Sequence, residues 1–425
     1  MKIALACNGT RGDCEPSVAV GSELQRRGHD VCMAIPPNLV GFAESVGLNA
    51  VAYGPISDAL WDAEFLRTFV KDLLTNAWRI PEVIKIVQEL WQPILRHWGE
   101  MSASLTTLAE GADLLCAGLF FQDVAANVAE HHDIPFVTLH YFPVRPNGQV
   151  IPFLPTPLVR AVMTGYDWFG WRMNKKAEDA QRRTLNLPKA TKSTWRRVAE
   201  RESLEIQVYD QACFPGLAAE WAAKWDGRRP FVGALSLDLS SDADAEVMSW
   251  IAAGTPPICF GFGSMPVESP AQTIATIAAA CAQLGERALI CSGWTDYSDV
   301  PHFDHVKVVG AVNYATVFPA CRAVVHHGGS GTTAAGLRAG VPTLVLWTAG
   351  DQPFWGTQLK RLKVGTSRSF ASATPETLVA DLRQILVPEY AARARRLATQ
   401  MTPRAESVSR AADLVEDFAR ARCSA

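Results

Sequence analysis

An α/β protein made of two doubly wound parallel sheets is the fold class predicted, and three observations predict it. Short runs rich in Val, Ile and Leu alternate with stretches of helical spacing. The alternation lapses in an irregular, polar stretch around 215–256 and then starts afresh. The chain has 425 residues, 48% of them apolar and 20% charged. That is material for about two cores of roughly 200 residues each.

The first strand is expected at 3–7. A helix follows over 16–27, with Pro16 in its first turn and Gly28 as its stop. A strand at 31–35 ends at Pro36-Pro37, a helix at 38–46 ends at Gly47, and a third strand lies at 50–53. Helical spacing then runs over about 58–109, broken at Pro81 and Pro93. A strand at 113–117, a helix at 121–131 and a strand at 135–139 repeat the theme. Residues 143–157 carry five prolines and read as a long loop, after which helical spacing resumes over 158–184. In the second half, strands are expected at 257–262, 288–291, 306–309, 322–326 and 343–346. Helices at 270–284, 313–319, 330–339 and 351–362 fall between them. A last helical pattern, 404–421, could pack on either half. Two such sheets predict ligands at the carboxyl ends of their strands, with a cleft between the domains.

Composition narrows the partners. A net charge of −3 supplies no basic field and argues against nucleic acid. The ten cysteines are scattered through apolar runs with no CxxC pair, which reads as reduced core residues, neither a disulfide frame nor a zinc site. "ALAC" at 4–7 resembles a lipoprotein cleavage site, but no apolar leader precedes it. No apolar run is long enough to span a bilayer, so a cytoplasmic protein is expected.

Four loops carry candidate chemistry. "VVHHGGSGTTAAGLRAG", 324–340, ends a β run in His326-His327 and opens a helix through Gly328-Gly329-Ser330-Gly331, with Thr332 in its first turn. A helix start presents unpaired N–H groups and about half a positive charge, and glycines let the backbone approach a phosphate. The alternative is a tight strand–helix turn with Ser330 as its N-cap. A metal pair is disfavoured, because adjacent strand residues point to opposite faces. "CFGFGSMP", 259–266, ends a strand in Gly263-Ser264, where backbone and hydroxyl can reach a phosphate oxygen. "WTAGDQPFWG", 347–356, places Asp351 beside Gln352, either a pair for sugar hydroxyls or a capping turn. "GTRGDCEP", 9–16, follows the first strand and reads as an adhesion tripeptide, a solvated turn or a loop holding a base. Gly9-Thr-Arg-Gly12 lacks the dinucleotide spacing and no Walker lysine follows Gly331, so neither NAD nor a P-loop triphosphate fits.

These motifs, "GTRGDCEP", "GFGSMP", "HHGGSGTT" and "AGDQPFW", resemble in order and spacing those of the family 1 glycosyltransferases with a GT-B fold. The chain looks most like the actinobacterial branch acting on glycopeptides, polyketides and lipids. In detail it is closest to mycobacterial enzymes that glycosylate glycopeptidolipids, with "GLAAEW" and "RRPFVGAL" matching too. The resemblance implies two Rossmann-like domains facing a cleft. The acceptor-binding domain would cover 1–215, a linker and entry 216–256, the nucleotide-sugar-binding domain 257–403, and a C-terminal helix packing back 404–425.

It further implies that His326, His327 and Gly328 to Thr332 hold the donor diphosphate together with Ser264. Asp351 and Gln352 would order the sugar, and Val312 would lie beside the nucleobase. Thr10, Arg11 and Gly12 would approach the donor from the opposite domain, and Asp13 would be the base. An aspartate near its reference pKa of about 3.9 is ionised already and needs only geometry for that task. Other branches use a histidine in this loop. His29 is a poor substitute at a helix end, and Asp351 is the fallback base. No metal or other cofactor is implied, and the D-x-D within "DADAE" at 242–246 reads as helix-entry acids.

The tryptophan-rich segments between 58 and 109 read as core packing or as an acceptor groove. Arg67, Lys71, Arg79, Lys85 and Arg96 beside them read as solvated faces or as a peripheral membrane contact. The partners expected are therefore a dTDP- or UDP-linked hexose or 6-deoxyhexose and a hydrophobic lipid or lipopeptide acceptor. The site would be cytoplasmic, at the inner face of the plasma membrane if that contact exists. Two rival functions share the fold: a non-catalytic sugar-nucleotide-binding scaffold and a non-hydrolysing sugar-nucleotide epimerase.

Overall fold

Aliphatic runs without polar interruption make strands that bury both faces, and such strands pair in parallel between helices. The computed structural model describes residues 1–56, 95–151, 154–225, 227–239, 241–263, 269–293, 301–348 and 350–423. Strands β1 (Lys2–Ala6), β2 (Asp30–Ile35), β3 (Asn49–Ala52), β4 (Leu114–Ala117), β5 (Phe136–His140) and β6 (Leu204–Gln207) form the first sheet, in the order β3-β2-β1-β4-β5-β6. Strands β7 (Ile258–Gly261), β8 (Ala288–Cys291), β9 (Val306–Val309), β10 (Ala323–His326), β11 (Thr343–Trp347) and β12 (Gly365–Ser369) form the second, in the order β12-β11-β10-β7-β8-β9. Read from β9, the second order is the same as the first. Each sheet reverses its winding once, between β1 and β4 and between β7 and β10, and that point opens a crevice beyond the strand ends.

Alternation along each central strand divides the core. Ile3 and Leu5 of β1 face the helix Arg11–Arg26 and the C-terminal helix Arg404–Cys423, through Val18, Leu24, Ala411 and Val415. Ala4 and Ala6 face the other way, toward Trp98, Met101, Leu105 and Val124, where small residues leave room for an indole. In β7, Ile258 and Phe260 lie in one cluster and Cys259 in the other.

The chain divides into one unit of 1–237 with 402–425 and another of 238–401. The stretch 216–256 is thereby split. The helix Pro215–Trp225 belongs to the first unit and the helix Asp244–Ala252 to the second. The C-terminal helix joins the first unit, where Arg27 reaches Asp413 at 2.6 Å and His29 reaches Glu416 at 2.6 Å.

Two differences from the sequence reading have physical reasons. The first helix begins at Arg11, not Pro16, because Thr10 and Asp13 close a capping box ahead of the proline. Pro16 therefore sits inside the helix and forgoes one backbone bond. The outer strands β6 (LEIQ) and β12 (GTSRS) carry too little apolar pattern to be read as strands. Their polar side chains are partnered from elsewhere. Glu205 of β6 is buried against Arg145 and Arg229, and Arg368 of β12 donates to Asp381 at 2.5 Å.

Candidate functional site

In the second unit the switch point places Gly261, the end of β7, opposite His326, the end of β10. His326 is wholly buried and its Nδ1 accepts the Gly328 N–H at 2.9 Å, so it braces the glycine turn. Burial, and then the neighbouring His327, lower its pKa to about 3. The neutral ring thus carries its proton on Nε2, which has no hydrogen-bond partner among the described residues. The His327 ring lies between two glycines. A Cβ on Gly263 would stand 2.9 Å from its Cε1, and one on Gly329 would stand 2.6 Å from its Nε2. Burial lowers the His327 pKa to about 4, against the pull of the Gly261 backbone. A neutral imidazole there offers a hydrogen bond to a phosphate and no net charge.

The glycines have distinct tasks. Gly328 has φ +99°, and a Cβ there would stand 2.7 Å from Val345 Cγ1. The helix Ser330–Ala339 takes Gly329 as its N-cap, so Ser330 is its first helical residue and not the cap. No side chain caps this helix start, while Thr333 Oγ1 donates back to the Gly329 carbonyl at 2.8 Å. The first-turn N–H groups lie at this helix start with half-buried Thr332 beside them. Gly331 is exposed, and a Cβ there would meet nothing within 4 Å.

Asp351 occupies the N-cap position of the helix Gln352–Leu362, yet its side chain makes no capping bond, which leaves its carboxylate outside the capping role. Gln352 Oε1 accepts from Thr348 N at 2.8 Å and from Thr348 Oγ1 at 3.0 Å, which fixes the plane of its amide. Val312 lies half-buried in a loop that is pinned from below. Ser241 Oγ donates to the Ala311 carbonyl at 2.7 Å, and Asp244 accepts from Asn313 N and from Ser241 N, both at 2.8 Å. The acids of "DADAE" thus hold this loop and a helix start, with Glu246 paired to Lys307 at 2.6 Å. Ser264 lies outside the described residues.

In the first unit, Thr10 caps the helix Arg11–Arg26, and Asp13 belongs to its first turn instead of a free loop. Asp13 Oδ2 accepts from Thr10 N at 2.7 Å and from Thr10 Oγ1 at 2.8 Å. Gly9, with φ +115°, makes room for this carboxylate, since a Cβ there would stand 2.6 Å from Oδ2. Burial raises the Asp13 pKa, and hydrogen bonding from Thr10 and Tyr141 holds it back. The expectation of an aspartate at its reference value is therefore corrected: loss of water outweighs the local donors. Arg11 lies 4.6 Å from the Phe42 ring centroid and 3.6 Å from Glu15. Gly12 is exposed, with no close neighbour beyond Thr10.

Sequence reasoning passed over three contributors. Gly9 was legible as the glycine before a cap. Tyr141, just past β5, and Tyr314, whose hydroxyl would meet a Cβ on Gly261 at 2.9 Å, come from distant segments and had no local signal. Of the expected acceptor-side residues, Trp61, Trp78, Trp91, Arg67, Lys71, Arg79 and Lys85 lie outside the described residues. Trp98 is a core residue whose Nε1 donates to Gln181 at 3.0 Å.

Two parallel sheets of identical winding, one with a glycine turn and helix start at its switch point, define the two-domain architecture of the GT-B transferases. Comparison with known proteins bears this out. Residues 3–110 match the glycosyltransferase family 28 N-terminal domain, and residues 265–416 match the C-terminal domain of erythromycin biosynthesis protein CIII-like proteins. An uncharacterized glycosyltransferase of Mycobacterium tuberculosis is 59% identical over 423 residues, covering 99% of each chain. A sterol 3-beta-glucosyltransferase of Arabidopsis thaliana is 28% identical over 415 residues, covering 94% of this chain and 65% of the plant protein. Among solved structures, the glycotransferase of kitacinnamycin superposes with a TM-score of 0.68 at 20% identity, over 98% of both chains. The glycosyltransferase VinC, in complex with dTDP, gives 0.65 at 18% identity, over 99% of this chain and 100% of that one. The chain belongs to this family of glycosyltransferases and is a transferase.

Proposed function

We propose that the protein is an inverting, metal-independent transferase that moves a hexose or 6-deoxyhexose from a dTDP- or UDP-sugar. The acceptor is a hydroxyl of a lipid or lipopeptide such as a glycopeptidolipid, met at the cytoplasmic face of the membrane. The observation that carries the reading is the uncapped start of the helix Ser330–Ala339 beside His327, at the switch point of the second sheet. It supplies N–H donors and a neutral imidazole to a diphosphate without a cation.

In this reading Asp351 and Gln352 hold sugar hydroxyls, and the base stacks near Val312. Asp13 takes the acceptor's proton while that oxygen bonds the anomeric carbon and the bond to the diphosphate breaks. The dTDP complex of VinC supports a thymidine or uridine donor, and the plant sterol glucosyltransferase supports a hydrophobic acceptor.

Melting curves with dTDP, UDP, GDP and NAD, each with and without EDTA, test the donor site. A nucleotide at about 100 times its Kd stabilises by roughly 2.7 kcal/mol, a shift of a few degrees. A shift with dTDP or UDP that survives EDTA is the expected result. A shift abolished by EDTA would remove the metal-free site, and no shift with any nucleotide would overturn the donor-site reading.

A further inference from the structure

The helix Thr156–Thr184 runs 29 residues, about 43 Å at 1.5 Å per residue, and one face of it turns outward along much of that length. A soluble surface helix keeps such a face polar. Here Leu158, Val162, Tyr166 and Phe169 follow one another at helical spacing on that face, and all are exposed. Tyr166 and its neighbour Trp168 are 75% and 57% exposed, well beyond the partial exposure of a core-edge aromatic.

Past Gly170 the same stripe changes character. Arg172, Lys176 and Arg183 continue it, and with Lys189 they border an open groove of about 720 Å³. The groove is lined by five cations against one carboxylate, Asp179, which is paired with Lys175. Among the described residues, Arg172, Lys176, Arg183 and Lys189 make no ion pair. The whole chain carries a net charge of −3, so this basic surface is a local concentration and not a general property.

An aromatic-rich apolar stretch that passes directly into an unneutralised basic one matches one kind of surface. Tyr and Trp rings settle at the boundary between headgroups and acyl chains, and cations settle against lipid phosphates. We propose that the helix Thr156–Thr184 docks the protein onto an anionic bilayer, lying in the plane of the surface. Its apolar half enters the interface, and Arg172, Lys176 and Arg183 meet the headgroups. No helix among the described residues is long and apolar enough to cross a membrane, so this is contact from one side. The site deepens the reading of a membrane-borne acceptor, and it is tested by binding rather than by transfer.

The experiment is co-sedimentation of the full chain with vesicles of phosphatidylcholine, with and without phosphatidylglycerol, across a salt series. Wild-type protein should bind the anionic vesicles, release in high salt, and show a blue shift of tryptophan emission. Each surface cation is worth about 1 kcal/mol, so Lys176→Ala with Arg183→Ala should weaken vesicle binding about 30-fold. Trp168→Ser with Phe169→Ser should weaken it further and lose the blue shift. Both double variants replace exposed side chains, so their melting and nucleotide binding should match wild type. The proposal is overturned if wild type ignores anionic vesicles, if both variants bind as well as wild type, or if sedimentation velocity shows these residues burying a protein dimer. Those outcomes would leave nucleotide binding intact, which separates this failure from failure of the donor site.

Discussion

Asp13→Asn isolates charge from shape at the proposed base. The asparagine Oδ1 can still accept from Thr10 N and Thr10 Oγ1, now at 2.7 and 2.8 Å from the carboxylate, so the capping geometry survives. Burial raises the Asp13 pKa, which means the folded site favours the protonated form. A raised folded value adds stability below the unfolded pKa and loses it as pH rises through the folded pKa. At neutral pH the ionised carboxylate is therefore a burden on the fold that asparagine removes. One altered hydrogen bond is worth about 1 kcal/mol, so Tm should hold within about 4 °C or rise. Loss of a general base should lower kcat/KM by about 10²- to 10⁴-fold. The assay is nucleoside diphosphate release from UDP- and dTDP-hexoses with a panel of lipid alcohols, over a pH series. In wild type the acid limb of kcat/KM should lie above the ordinary carboxylate value of 3.8, because ionised base is lost as pH falls through a raised pKa. Transfer by the variant within a few-fold of wild type would remove Asp13 from the role. A large drop in Tm with loss of nucleotide binding would make its effect structural.

Three further tests address other parts of the molecule. Gly331→Ala should raise Tm slightly, since the position is open and alanine favours the helix by up to about 1 kcal/mol, yet weaken UDP or dTDP binding by calorimetry. Unchanged affinity would mean that no phosphate approaches there. His326 and His327, with pKa values near 3 and 4, are neutral when folded and charge when unfolded, so stability should be full above pH 6.5 and fall from there toward 4. Denaturant titrations should show that slope reduced in His326→Asn. Glu205→Gln should cost about 3–5 kcal/mol in urea unfolding, because it leaves the buried Arg145 and Arg229 without their counter-charge. Burial opposes the Glu205 charge, but the two guanidinium groups outweigh it and bring its pKa to about 2, so the pair's contribution fades as pH falls from 4.5 toward 2.

The sequence by itself determined what depends on near neighbours. Alternating apolar runs and helical spacing specified the central strands of both sheets, since burial on two faces demands unbroken aliphatic segments. The glycine turn after His327 and the helix that follows it were legible because glycines and helical spacing mark such a junction in any context. Even the capping box at Thr10 and Asp13 was within reach, though Pro16 diverted the reading.

The tertiary structure decided what depends on distant partners. Parallel pairing sets Gly261 beside His326 across 65 positions of sequence, which no local pattern encodes. The outer strands β6 and β12 bury polar residues, which is favourable only once arginine or aspartate arrives from another element. The Asp13 pKa likewise follows from water excluded by the packed fold and from Tyr141, a residue 128 positions away. Backbone preference acts over three or four residues, whereas desolvation and charge compensation exist only when the whole chain has closed around the group concerned.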